Sequence, residues 1–275
     1  MTQKTRIERN RIAKQRAVLF GVSAVVLFVA LMGGLWITRG VELDSQGCPK
    51  EHGPIREVVL IIDTSDPLTE KHRAELERIM REMTEPGASG RHNRLAVKEG
   101  ERLNIYRLGS TEDPTTPIAE ICNPGGNPQE RGFLDDLTTG KLISNWRWEQ
   151  FVKVTQELFP DEESAAHPTS PILETIAVTT ARHAPSSRAK DDVEPTHLIV
   201  ISDLLQHTDK LSQYGTYPAP NTLRGELSTD LSNVVVSFFR LERDKYREFQ
   251  TPEHYYWWTD WVVAMGGKVV WQQAL

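Results

Sequence analysis

Two cysteines in 275 residues exclude a disulfide-rich scaffold. Neither Cys48 nor Cys122 has CxxC spacing or a ligand set beside it, which argues against a metal–thiolate site. There is no Gly-x-Ser-x-Gly elbow and no His-Glu-x-x-His pair, so the local signatures of those two hydrolase classes are missing. Thr-Thr-Gly-Lys at 138–141 lacks the upstream glycine of a phosphate loop, and Lys141 reads as a solvated charge. No repeat of fixed period is visible. Positive charge is scarce past residue 40: residues 1–40 hold seven Lys/Arg and one Glu of the chain's 32 and 38, leaving 25 against 37, a balance of −12. A domain this acidic is a poor match for phosphate backbones, which argues against nucleic-acid binding there.

What is present begins with an apolar run. Residues 17–38 (AVLFGVSAVVLFVALMGGLWIT) carry no charge and only two hydroxyls, Ser23 and Thr38. About 20 such residues at a rise of about 1.5 Å cross a hydrocarbon core of about 30 Å. A helix packed in a soluble core would show a polar stripe, and none is there. No A-x-A cleavage pattern follows, so the run reads as a retained anchor rather than a signal peptide. Lys4, Arg6, Arg9, Arg11, Lys14 and Arg16 precede it against Glu8 alone. By the positive-inside rule the basic tail, 1–16, is cytoplasmic and everything beyond the anchor is exported. Trp36 suits the outer interface, and Gly33-Gly34 could pack against another helix. Anchor length and the absence of Asn-x-Ser/Thr acceptors fit a single-pass protein of a bacterial inner membrane with a periplasmic domain.

Both cysteines fall in the exported part. They pair if the compartment is oxidising, closing a loop that the chain-entropy model values at about 4 kcal/mol; the alternative is two separate buried thiols.

Residues 39–56 read as a polar stalk, and 57–275 as one domain. Continuous β-branched runs at 58–62 (VVLII), 197–202 (HLIVIS) and 233–241 (NVVVSFFRL) are the pattern of strands buried on both faces. Residues 103–108 alternate, 117–122 suit an edge strand entered by proline, and 268–271 close the series. Helical spacing marks 68–83, 145–159, 170–183 and 252–264, with Ser170-Pro171 as cap and first residue of the third. Residues 85–100 read as an exposed loop. Strands alternating with helices predict an α/β fold with a doubly wound, mostly parallel sheet.

In such sheets, function gathers at the carboxyl ends of the strands. The first strand ends in Asp63-Thr64-Ser65-Asp66-Pro67, the central one in Ser202-Asp203, and a loop brings Thr169-Ser170 to a helix start. Carboxylates and hydroxyls from three loops make the all-oxygen set that Mg²⁺ prefers. Here the chain resembles the von Willebrand factor A domain family over residues 56–274. That family's metal-ion-dependent adhesion site uses Asp-x-Ser-x-Ser, a Thr from a second loop and an Asp after the fourth strand. The resemblance implies Asp63, Ser65, Ser170 (or Thr169) and Asp203 as metal ligands, with Mg²⁺ as cofactor. It departs at Pro67, where the family has its second serine, and at Leu204, where a glycine is common.

The implied function is a non-enzymatic interaction module, binding another membrane or envelope protein directly or through the metal. The alternative is a metal-assisted hydrolase built on Asp63 and Asp203, with His207 as the nearby base. Trp257 and Trp261 fall on one helical face and read as core; Tyr255 and Trp258, on the neighbouring face, are candidate partner contacts.

Overall fold

A computed structural model of the chain describes residues 43–84, 93–109, 116–125, 141–156, 168–184 and 194–275, with Val26 and Phe28. Contacts divide the chain into two units: Met1–Val41 with Gly132–Lys141, and Glu42–Arg131 with Leu142–Leu275. Of the first unit's apolar run only Val26 and Phe28 are described, both helical and exposed. The membrane span called at 17–38, and the tail before it, otherwise lie outside the described residues. Among those described, no helix is long and apolar enough to cross a membrane.

Among its described residues the second unit has six strands: β1 (Glu57–Asp63), β2 (Arg102–Leu108), β3 (Ala119–Cys122), β4 (Thr196–Ser202), β5 (Val234–Arg240) and β6 (Lys268–Ala274). Their order is β3-β2-β1-β4-β5-β6, with every pair parallel except β2–β3. Helices α1 (Glu70–Thr84), α2 (Lys141–Gln156), α3 (Ile172–His183) and α4 (Pro252–Ala264) cover the sheet. The alternation of side chains along each strand separates two cores. Val58, Leu60 and Ile62 pack with Leu76, Ile79 and Met83 of α1 and with Trp148 and Phe151 of α2. Val59 and Ile61 pack with Ile172, Leu173 and Ile176 of α3 and with the α4 tryptophans. Each buried Val, Leu or Ile contributes about 1.5–3 kcal/mol, which is why runs apolar on both faces become central strands. The doubly wound α/β reading therefore holds.

Several local readings change. Of the loop at 85–100, the described part turns inward: Leu95 and Val97 are buried, and Val97 N–H donates to the Met83 carbonyl at the end of α1. From Leu43 onward the stalk is folded against the sheet edge. Asp44 Oδ1 accepts the amides of Gln46 and Cys48, and Cys122 N–H on β3 donates to the Gln46 carbonyl at 2.9 Å. Ser170 does not cap α3: Pro171 holds that position without a side-chain cap, and Gln206 Oε1 accepts the Leu173 amide instead. α4 starts as its sequence indicates, with Thr251 accepting from His254 N–H and Pro252 opening the helix.

Candidate functional site

β1 delivers Asp63 to the carboxyl edge of the sheet almost fully buried, at 1% exposure. Its Oδ1 accepts the Ser65 hydroxyl at 2.6 Å and the Ser65 amide at 3.0 Å, the Asx geometry that turns the chain out of the strand. Its Oδ2 accepts Ser170 Oγ at 3.2 Å and Ser202 Oγ at 2.6 Å. Ser170 is held by backbone pairing with His207 in both directions, and Ser202 is the last residue of β4. Three loops thus converge on one carboxylate. Thr64 locks the same turn to β2, donating from both its amide and its hydroxyl to the Leu108 carbonyl. Gly109, at φ +74°, lies so close that a Cβ there would fall 2.2 Å from the Ser65 backbone.

Asp203 follows Ser202 and is 3% exposed. Its Oδ1 accepts the Leu205 amide at 2.9 Å, and its Oδ2 lies 3.3 Å from Arg243 Nε as an ion pair without hydrogen-bond geometry. Burial, then the nearby Asp63 charge, push its carboxyl up to about 7, against the pull of Arg243. Arg243, itself buried, donates to the carbonyls of Pro67 at 2.7 Å and Asp66 at 3.1 Å. Lys245 reaches Asp66 Oδ1 at 2.6 Å, and Gln250 Nε2 donates to the Asp203 carbonyl. Leu204 adopts φ +63°, a left-handed conformation that a Cβ disfavours. Ser202 Oγ accepts its amide, and its carbonyl accepts Trp258 Nε1, both at 2.8 Å. The glycine-like backbone is kept without the glycine.

Mg²⁺ demands a near-octahedral oxygen set at about 2.0–2.1 Å. The hydroxyls that donate to Asp63 retain lone pairs, so they alone do not exclude a cation. The obstacle is Arg243. Its guanidinium sits against Asp203, its two carbonyl bonds tie down the Asp66-Pro67 turn, and Pro67 brings no side-chain ligand. A fixed positive charge on one of the four ligands opposes a divalent ion, and the residues as placed do not fit one. Among the described residues, no group of three or more His, Cys, Asp and Glu is arranged to hold a metal.

The remaining candidates disperse. Thr169 is half-buried next to Ser170, and it is Ser170 that reaches Asp63. His207 Nδ1 is 3.0 Å from Ser212 Oγ, and its ring meets Tyr214 edge-on. Trp258 must be corrected from partner contact to core: it is fully buried, bonded to the Leu204 carbonyl, and packed edge-on against Phe238, Trp257 and Trp261. Tyr255 is half-buried with the Arg240 guanidinium 4.9 Å from its ring centre, while Tyr256 is 65% exposed. Cys48 and Cys122 are joined as a disulfide with Cα atoms 5.0 Å apart, tying the segment before β1 to the edge strand β3.

Sequence reasoning passed over Arg243, Lys245 and Gly109, and it named Ser202 only as the end of its strand, not as a donor to Asp63. Arg243 had a usable signal: it lies three residues past the end of a buried strand, where the strand-end rule already directed attention.

No family model and no curated protein matches the chain. Among solved structures it is similar to proximal thread matrix protein 1 from the mussel byssus, at 10% identity and a TM-score of 0.34. The match covers 80% of this chain and 43% of that one, so the chain spans less than half of that protein's length. A likeness this weak carries no argument about fold or function.

Proposed function

We propose that this chain is a von Willebrand A-like interaction module, held outside the cytoplasm by the membrane span at 17–38 and scaffolding an envelope assembly. In it Arg243 serves where relatives of that type use a divalent ion. The observation that carries the reading is the convergence of Ser65, Ser170 and Ser202 on Asp63, with the Asp203–Arg243 pair closing the same strand ends. Such a cluster fixes three loops rigidly and presents their rims as one surface. The strand order supports it, since the polar cluster falls at the β1/β4 switch point, where open α/β sheets place their ligand crevice. The Cys48–Cys122 bridge supports an oxidising compartment.

The test is site-specific photocrosslinking in the native membrane from Asp209 and Arg247, exposed residues of the strand-end loops, with Glu51, ahead of β1, as control. Discrete crosslinked partners from the first two positions, and none from the third, are expected. Equal crosslinking from all three would remove the strand ends as the interaction face.

A further inference from the structure

The second unit begins to fold sooner after the apolar run than a stalk over 39–56 would allow. Leu43 bridges antiparallel to Pro49, Asp44 Oδ1 accepts the Gln46 and Cys48 amides, and the disulfide fixes Cys48 to Cys122. Only residues 39–42 therefore separate the run from the first residue that is tied into the fold. Five Cα steps from Thr38 to Leu43 reach at most about 18 Å, and the headgroup layer takes up about 5 Å of that or more. With 17–38 spanning the bilayer, Leu43 is held within about 13 Å of the membrane surface.

Leu43 belongs to one end of the sheet. Cys122 N–H donates to the Gln46 carbonyl, Ile55 N–H to that of Gly100, and Arg102 N–H to that of Arg56. These partners precede β1 and β2 or end the antiparallel β3, so the segment 43–56 lies along the amino edge of the parallel strands. Ile55 is 59% exposed there, on the same edge as the half-buried Leu43 and Pro49. The exposed Lys50 and Lys98 offset Asp44, Glu51 and Glu99 to within one charge. In a domain carrying −12 overall, this edge is therefore one that anionic lipid hardly repels. The cluster around Asp63 and Arg243 occupies the opposite, carboxyl edge, six steps along β1 or about 20 Å away.

We propose that the short tether seats the amino edge of the sheet, with Ile55, on the lipid headgroups and turns the strand-end cluster outward, about 20 Å or more above them. The inference rests on the interaction-module reading with its membrane span, and adds the kind of partner. Transmembrane helices and their short loops do not reach that height, so the partner is a folded domain standing clear of the bilayer.

The test uses the full chain in phosphatidylcholine vesicles doped with a headgroup-nitroxide lipid, a short-range quencher. A fluorophore is attached through His52→Cys on the amino edge or Arg247→Cys beyond the carboxyl edge, both fully solvated positions at 83% and 85% side-chain exposure. Both native cysteines are in the disulfide, so only the introduced thiol reacts. Quenching at 52 should exceed that at 247 by at least about threefold, because strands about 20 Å long separate the two edges. Inserting a Gly-Ser linker of about ten residues between Glu42 and Leu43, about 17 Å in r.m.s. span, should relieve the quenching at 52. No quenching at 52, equal quenching at both labels, or quenching at 52 that survives the linker would overturn the proposal. Strand-end crosslinks alongside equal quenching would sink the orientation and leave the module standing. The expected quenching without crosslinks would do the reverse.

Discussion

Replacing Arg243 by methionine keeps the aliphatic bulk and removes the guanidinium, and its cost can be worked from three contacts. The bonds to the Pro67 and Asp66 carbonyls, at 2.7 and 3.1 Å, each involve a charged donor. Such bonds contribute about 1.5–3 kcal/mol apiece, and carbonyls beside an open cleft regain some water, which favours the lower end. The third contact is the ion pair with Asp203 at 3.3 Å. Breaking a buried pair costs about 3–5 kcal/mol when the surviving charge is trapped. Here it is not trapped: the Asp203 carboxyl titrates at about 7 and can take up a proton, reducing that part to about 1 kcal/mol near neutrality. The expected loss is about 4 kcal/mol, or a fall in Tm of roughly 10 °C for a domain of this size. It should grow from pH 6 to pH 9, where Asp203 must ionise without its partner. Urea unfolding of both proteins across that range, followed by far-UV circular dichroism, provides the measurement. A loss below about 1 kcal/mol, or one independent of pH, would refute the view that Arg243 holds these loops.

Other outcomes follow from the same geometry. Asp203→Asn should reverse the pH response: the raised carboxyl pKa gives stability fully present below 3.8 and lost as pH rises through about 7. Between those limits the variant should gain on the wild type by on the order of 4 kcal/mol. Taking the difference cancels the opposite trend of His197 and His254, whose pKa values are lowered to about 4; a flat difference between the two proteins would contradict the assignment. Cys48→Ser should cost about 4 kcal/mol in an oxidising buffer and nothing further under reductant, as read by thermal unfolding. Gly109→Ala should cost at least about 2 kcal/mol, since its Cβ meets the Ser65 backbone at 2.2 Å and φ is positive; wild-type stability would mean that the Asp63 turn yields easily.

The sheet could be read from the sequence because its strands are buried on both faces and so appear as unbroken β-branched runs, as at β1 and β4. The helices followed from spacing, proline and caps. Asp63, Ser65 and Ser170 came from the strand-end rule taken with the family resemblance, and the structure brings these three together. What escaped depended on distances along the chain that no local pattern encodes. Arg243 lies 176 residues from the Pro67 carbonyl it holds, so the strand-end rule marks its position but not its partner. Trp258 and its neighbours differ only in which face of α4 meets the sheet. That face is set by the Leu204 carbonyl, itself aimed by a backbone conformation that leucine seldom adopts. The α3 cap moved for a similar reason: Gln206 from the β4 loop reaches the helix start, which leaves Ser170 free to donate to Asp63.

The most direct test of the central claim is thermal unfolding of the full chain in non-ionic detergent with Mg²⁺, Mn²⁺ or EDTA, in wild type and Asp63→Ala. A specific ion at 100 times its dissociation constant would stabilise the fold by about 2.7 kcal/mol. The account predicts superimposable wild-type curves in all three conditions, because Arg243 already supplies the positive charge at these loops. A metal-dependent rise in Tm that Asp63→Ala abolishes would contradict it and return the site to a divalent cation.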